Sequence, residues 1–171
     1  MRILFVTPMW PGPADPDFGS FLVPIVRELE RLGHEVEVVA ISRRAGGPRR
    51  HLRMAMETIR AARRTRPDVV FAHMLFPAGL AALVGGRLAG APVVVMAHGQ
   101  DVANLDRLPL RAATAPVLRW ADGLIAACAR YPERSRTNAR HSGMSSGASS
   151  SRGSRSWSWS SARCMSATVT S

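Results

Sequence analysis

The feature that most constrains this chain is an apolar, β-branched run that ends abruptly at a polar turn. Residues 93–97 read VVVMA, the pattern of a strand that is buried on both faces of a sheet. His98 and Gly99 follow at once, and Asp101 lies two residues further along. In an open parallel sheet, ligands bind just beyond the carboxyl ends of the strands. The stretch therefore predicts a functional edge, provided that the rest of the chain builds such a sheet.

Short apolar runs alternate with helical patterns along the rest of the chain. Strands are predicted over residues 2–7, 35–41, 69–72, 93–97 and 122–127, and helices over residues 21–32, 49–66, 77–89 and 109–121. A loop is expected over residues 102–108. No hairpin signal separates the strands, so the alternation predicts an α/β fold with a parallel sheet, helices on both faces and right-handed connections.

Two of the predicted helices are amphipathic by the spacing of their apolar residues. The predicted buried face of the first helix consists of Phe21, Ile25, Leu29 and Leu32. The predicted buried face of the second helix consists of Leu52, Met56 and Ile59. We expect both faces to pack on the sheet.

The formal net charge of +11 suggests nucleic acid or an anionic surface as a partner, but its distribution weakens that interpretation. Residues 1–129 carry 16 Arg against 11 acidic residues, whereas residues 130–171 carry 7 Arg against Glu133 alone. All of the basic residues are Arg, which is typical of a GC-rich genome. Part of the charge therefore reflects codon bias rather than a binding surface.

The composition changes at about residue 130. Residues 130–171 hold 14 serines, and Val169 is their only Ile, Leu or Val. Such a segment buries too little apolar surface to offset its ordering entropy, so we predict a domain over residues 1–129 and a disordered Ser/Arg-rich C-terminal tail over residues 130–171. Trp157 and Trp159 could stack on bases, but this signal is weak and no nucleic-acid partner is expected.

A shifted reading frame is a second interpretation of the tail. With GC-rich codons for residues 132–151 read two bases on, one permitted translation is GTVADERAALGDVVRRVVV. That string contains a helix-like segment, a stop glycine and a strand, which is how an α/β chain would continue. The nucleotide sequence through residue 130 tests this hypothesis.

Targeting and redox signals are sparse. The apolar run at the N-terminus is too short for a signal peptide, and no run approaches the ~20 residues of a membrane helix. Cys128 and Cys164 form no metal-binding motif and are expected to be free thiols, with a disulfide or metal site as the alternative. These observations predict a cytoplasmic protein.

Four stretches together span about residues 2–127: RILFVTPMWP, FGSFLVPIVRELERLGHEVEVVA, RPDVVFAHMLFPAGLAALVGGRLAGAPVVVMAHGQDV and RWADGLIA. In this order and spacing they resemble the N-terminal domain of family 4-like glycosyltransferases. The resemblance implies a Rossmann-like domain, one of the two in the B-type fold of these enzymes. It also implies a retaining transfer of a sugar from a nucleotide-sugar to a glycan or lipid acceptor, without a metal or other cofactor.

The resemblance also implies an incomplete enzyme. In this family the N-terminal domain mainly holds the acceptor, while a second domain holds the nucleotide-sugar and supplies an EX7E-type motif. That second domain is absent from the sequence, so we expect a truncated acceptor-side half that is inactive alone. A non-catalytic module that binds a sugar or lipid acceptor, and a split enzyme completed by a partner chain, are the alternatives.

The candidate site residues follow from matching this sequence to the family pattern. His98 is the candidate catalytic residue, because the family histidine after this strand approaches the donor sugar. The candidate substrate-binding residues are Gly19, Ser20, His73, Gly99 and Asp101. The structural alternatives are a strand-end histidine bonded to backbone for His98, a structural role for His73, an ordinary turn for Gly99 and a loop cap for Asp101.

The helix predicted from Arg49 to Arg66 is rich in arginine. A helix of this kind could contact an anionic membrane, which suits an enzyme with a lipid-linked acceptor and would place the protein peripherally at the inner membrane face. A solvated helix face in an Arg-biased protein is the alternative.

Overall fold

A five-stranded parallel sheet forms the centre of the computed structural model, which describes residues 1–104 and 106–126. The strands are β1 (Arg2–Thr7), β2 (Glu35–Ala40), β3 (Val69–His73), β4 (Val93–Ala97) and β5 (Gly123–Ala126). Their order is β2-β1-β3-β4-β5, and each neighbouring pair is parallel. The predicted α/β, Rossmann-like class is confirmed.

The predictions for the tail, its reading frame and both cysteines lie outside the described residues, and the domain boundary after residue 129 stays a prediction.

The helices are α1 (Leu22–Arg31), α2 (Arg49–Thr65), α3 (Leu80–Ala89), α4 (Gly99–Asn104) and α5 (Leu108–Trp120). A single helical turn at Leu75–Gly79, with extended backbone at Phe76, precedes α3. Helical structure therefore begins before the predicted Pro77. The short helix α4 was not predicted, and the loop expected from residue 102 is wrong for its first residues. None of the helices in the described part of the chain is long and apolar enough to cross a membrane.

Helices cover both faces of the sheet, as predicted. Phe5 of β1 packs with Leu22 and Val26 of α1 on one face. Its neighbours Leu4 and Val6 belong to a larger core on the other face, together with residues of α2, α3 and α5. This division follows from the alternation of side chains along a strand.

The face of α1 that packs on the sheet differs from the predicted one. Leu22 and Val26 are its buried residues, whereas Phe21 and Leu32 are more than half exposed and Ile25 is 39% exposed. The apolar face of this helix is wide, so periodicity alone does not decide which of its residues lies over Phe5.

The predicted face of α2 is also wrong. Leu52 is 66% exposed and Met56 is 44% exposed, whereas α2 buries Met54, Thr58, Ala61 and Ala62. Three of these residues are small where α3 packs closely: a Cβ at Gly85 would lie 3.3 Å from Thr58 Cγ2 and 3.5 Å from Ala62 Cβ. The hydroxyl of Thr58 donates to the carbonyl oxygen of Met54 at 2.8 Å, which makes its burial inexpensive.

Candidate functional site

The carboxyl ends of three adjacent strands bring polar side chains together. Thr7 ends β1, His73 ends β3, and His98 follows β4. Phe5 pairs with Phe71 in the sheet, so Thr7 and His73, each two residues further on, project to the same face as these rings. That is the face covered by α1. The edge predicted from the sequence therefore exists, and it lies beside the start of α1.

Three rings pack in sequence at this edge. The ring centroids of His73 and His98 are 4.2 Å apart, and those of His73 and Phe21 are 5.6 Å apart. His73 is only 2% exposed, whereas Phe21 is 56% exposed. The structure thus brings His73 and His98 into contact. Phe21, the residue just before α1, packs against His73.

His73 is a buried, neutral imidazole. Burial, followed by the repulsion of a second positive charge on His98, lowers the pKa of His73 to about 4. Its Nδ1 lies 3.4 Å from Thr7 Oγ1, and its Nε2 is buried without a hydrogen-bond partner. A buried polar atom without a partner is uncommon and costly, and it often marks the position of a ligand or an ordered water. His73 therefore has one ring nitrogen available for a bound molecule.

His98 likewise has a buried Nε2 without a hydrogen-bond partner. The residue is half-buried, and its ring packs against that of His73. Its backbone N–H donates to Asp101 Oδ2 at 2.9 Å. The backbone of His98 is thus held in place, while its side chain keeps a hydrogen-bonding atom free.

Asp101 joins two loops of the edge. Its carboxylate accepts from the backbone N–H of His98 and, at 3.1 Å, from that of Leu75. Leu75 follows Met74, which has a φ of 85°, a region that residues with a side chain rarely adopt. Asp101 is 2% exposed, and both of its oxygens bind backbone. Its geometry is that of the loop-capping alternative, and its contact with substrate stays a prediction.

Gly19 lies in the loop that leads from β1 to α1. Its φ of 74° favours glycine, and a Cβ there would lie 2.9 Å from the backbone carbon and oxygen of Met9. The fold therefore requires glycine at this position, whether or not a substrate binds there. Ser20 beside it is exposed. Substrate binding by Gly19 and Ser20 stays a prediction.

Gly99 is the first residue of α4 and is exposed. Its φ is not in the left-handed region, and a Cβ there would meet nothing within 4 Å. The fold therefore does not require glycine at this position. The open space is compatible with the predicted approach of a ligand, which stays a prediction.

An apolar groove of about 370 Å³ opens between α2 and α3. Its lining includes Leu52, Ile59 and Phe76. On the exposed side of α2, Arg49, Arg60 and Arg63 have no ion-pair partner within the described part of the chain. Arg53 and Arg64 differ, because they pair with Glu57 and Glu37. The outer face of α2 thus combines apolar and cationic side chains.

Two residues of the edge were not predicted as site residues: Thr7 and Phe21. The available signal for Thr7 is a polar residue that closes an apolar strand, and its partner His73 lies 66 residues away. In residues 1–104 and 106–126, no cluster of three or more His, Cys, Asp or Glu side chains could hold a metal ion.

Comparison with known sequences connects this edge to a family. Residues 19–134, more than half of the chain, match the sequence profile of Glycosyltransferase Family 4. The chain belongs to this family. Membership implies sugar-type substrates in general. No curated protein matches the chain.

Among solved structures, this family 4 domain is similar to UDP-GlcNAc 2-epimerase from Methanocaldococcus jannaschii. The sequence identity is 16% and the TM-score is 0.49. The match covers 74% of this chain and 39% of the epimerase chain. The family 4 domain therefore spans well under half the length of that protein.

Proposed function

We propose that this domain is the acceptor-side half of a retaining glycosyltransferase that moves a sugar from a nucleotide-sugar to a glycan or lipid acceptor. The observation that carries the proposal is the pair of adjoining imidazoles at the ends of β3 and β4, each with a buried Nε2 that has no partner. A neutral imidazole both donates and accepts hydrogen bonds, which suits it to sugar hydroxyls.

The roles within this site follow from its geometry and from the family resemblance. We assign the catalytic contact with the transferred sugar to His98, which is the more exposed of the two histidines. The buried Nε2 of His73 binds a hydroxyl of the substrate. Asp101 holds the backbone of His98 in position. Gly19, Ser20 and Gly99 border the site as backbone that a substrate can approach. No metal or other cofactor takes part in this proposal.

Binding of simple glycosides tests this assignment. We expect methyl glycosides to bind the 171-residue chain weakly, and His98→Ala to weaken that binding about tenfold, because one good hydrogen bond is lost. His34→Gln is the matched control, since His34 lies before β2 at the opposite edge of the sheet. Saturation-transfer NMR would measure both. Equal binding by the His98→Ala variant would contradict the assignment.

Turnover is the second readout of the same experiment. We expect no transfer from labelled UDP- or GDP-sugars by the chain alone, because the resemblance assigns the nucleotide-sugar to a second domain. Transfer at an ordinary enzymatic rate, lost in His98→Ala, would overturn the half-enzyme proposal. It would leave the role of His98 intact.

Two alternatives to truncation are a binding module without catalysis and a split enzyme. The nucleotide sequence beyond residue 130 separates them: a downstream frame that encodes an EX7E motif supports truncation, and its absence favours the module. A separate chain that restores transfer when mixed with this one supports the split enzyme.

The nucleic-acid alternative predicts binding that depends on salt and is lost when residues 130–171 are removed.

We further propose that the outer face of α2 contacts an anionic membrane when the acceptor is a lipid. Leu52 and Met56 are exposed beside Arg49, Arg60 and Arg63, the combination that characterises helices lying at a membrane interface. The apolar groove between α2 and α3 adjoins this face and could take part of an acyl or prenyl chain. This contact would place the protein peripherally at the inner face of a membrane.

Vesicle flotation tests the membrane contact. Leu52→Ser combined with Met56→Ser is expected to lower partitioning to vesicles that contain phosphatidylglycerol by about tenfold or more, because two apolar side chains lose their burial. The matched control is Leu88→Ser combined with Leu118→Ser, which are similarly exposed on α3 and α5. Both variants retain every arginine. Equal partitioning of the two variants would contradict the proposal.

A further inference from the structure

The hydroxyl of Thr7 connects the first strand to the histidine pair. Thr7 is fully buried. Its Oγ1 lies 3.0 Å from the carbonyl oxygen of Met9, 3.3 Å from the backbone nitrogen of Met9 and 3.4 Å from Nδ1 of His73. A hydroxyl has one proton to donate and two lone pairs to accept. Three neighbours therefore match its three hydrogen-bonding positions.

The chemistry of these neighbours decides where each proton lies. The carbonyl oxygen of Met9 can only accept, and it is the nearest of the three, so the hydroxyl proton points to it. The backbone N–H of Met9 can only donate, and it occupies one lone pair. The other lone pair remains for His73, whose Nδ1 must then carry a proton. If Nδ1 of His73 carried no proton, the Thr7 hydroxyl would have to donate to it instead of to Met9. The carbonyl oxygen of Met9 would then lose its donor, and one lone pair of Thr7 would be unused.

The tautomer of His73 determines what its free nitrogen can do. A neutral imidazole protonated at Nδ1 has an unprotonated Nε2, which accepts hydrogen bonds and does not donate them. The pKa of about 4 keeps this ring neutral at physiological pH. Its Nε2 is buried and has no partner, and the ring lies against His98. The atom therefore needs a donor from whatever occupies the site.

We propose that Thr7 is a positioning residue that holds His73 in the Nδ1–H tautomer, so that its Nε2 selects a group carrying a hydrogen, such as a sugar hydroxyl. The selection rests on the proposed function, because it describes the polarity of the same site. A carboxylate or sulfate oxygen at this position would meet a lone pair without an intervening proton and would be rejected. Thr7 does not contact the ligand in this arrangement but acts through His73.

The tautomer is measurable without any ligand. Long-range proton–nitrogen correlation NMR on the ¹⁵N-labelled chain near neutral pH distinguishes a protonated ring nitrogen from an unprotonated one. We expect protonated Nδ1 and unprotonated Nε2 for His73. A protonated Nε2 in the wild-type chain would overturn the proposal, whether or not any variant folds.

Two substitutions isolate the hydroxyl. Thr7→Val keeps the branched shape but removes the acceptor, and it is expected to shift His73 towards the Nε2–H form. Thr7→Ser keeps the hydroxyl and should restore the wild-type signals. An unchanged tautomer in a folded Thr7→Val variant would show that Thr7 does not set it.

Ligand titration then separates this proposal from the proposed function. Methyl glycosides are expected to shift the His73 Nε2 resonance, with about tenfold weaker binding to Thr7→Val and normal binding to Thr7→Ser. Sulfate, which carries no proton near neutral pH, should leave that resonance unchanged. Failure of every glycoside to bind, with the tautomer as expected, would count against the acceptor site alone. Equal glycoside binding by Thr7→Val and wild type would overturn the selection by Thr7.

Discussion

Acidification from about pH 7 to about pH 4 is expected to lower the free energy of unfolding by about 3 kcal/mol through His73 alone. Burial and the neighbouring His98 lower the pKa of His73 from 6.5 to about 4 in the folded chain. The unfolded chain takes up a proton as the pH falls through 6.5, whereas the folded chain stays neutral until about pH 4. Since the unfolded state binds more protons within this window, stability falls as the pH falls.

Denaturant unfolding at a series of pH values measures this effect. Other groups also titrate in this range, so the informative quantity is the difference between the wild type and His73→Gln, whose side chain does not titrate. His34→Gln, at the opposite edge of the sheet, is the control for the loss of a histidine away from this site. Parallel stability curves for the wild type and His73→Gln would show that His73 is not held neutral by the fold.

Replacement of Asp101 by Ala is expected to reduce the free energy of unfolding by about 3 kcal/mol, because two backbone N–H groups, one buried and one partly buried, lose a carboxylate acceptor. These groups belong to Leu75 and His98. Asp101→Asn should cost less, since its amide keeps one acceptor oxygen but turns an NH₂ group towards the second N–H. Faster hydrogen exchange at both amides is expected in each variant.

The control for this prediction is Asp106→Asn, at an exposed carboxylate between α4 and α5. It should change the stability by less than about 0.5 kcal/mol. Similar stabilities for Asp101→Ala and Asp106→Asn would mean that the carboxylate does not hold the two loops together. Stability loss without faster exchange at Leu75 and His98 would place the effect elsewhere.

The helix faces show where pattern reasoning reaches its limit. Strands β1 and β4 have the bounds predicted from their apolar runs, because a strand buried on both faces leaves a continuous signal. For α2, the apolar spacing indicated Leu52 and Met56, yet the buried face consists of Met54, Thr58 and alanines. The small residues that face α3 carry little hydrophobic weight, so close helix packing is not visible in the spacing.

Within the site, residue type and strand end together predicted where His73 and His98 lie. Both follow apolar runs, and in a parallel sheet such runs end at one edge. Their contact depends on β3 and β4 being neighbours, which the order of elements along the chain did not establish. The role of Asp101 was left open between a substrate contact and a loop cap. Its bond to the backbone of Leu75 spans 26 residues and has no local signal.

The sequence by itself determined the α/β class, the strand-end histidines and the family resemblance, because apolar periodicity and short-range order are written along the chain. Only the tertiary structure decided which atoms of the edge meet. Thr7 and His73 lie 66 positions apart, and a parallel pairing of β1 with β3 brings them within hydrogen-bonding distance. The burial that keeps His73 neutral arises in the same way, since desolvation depends on every element packed around the ring.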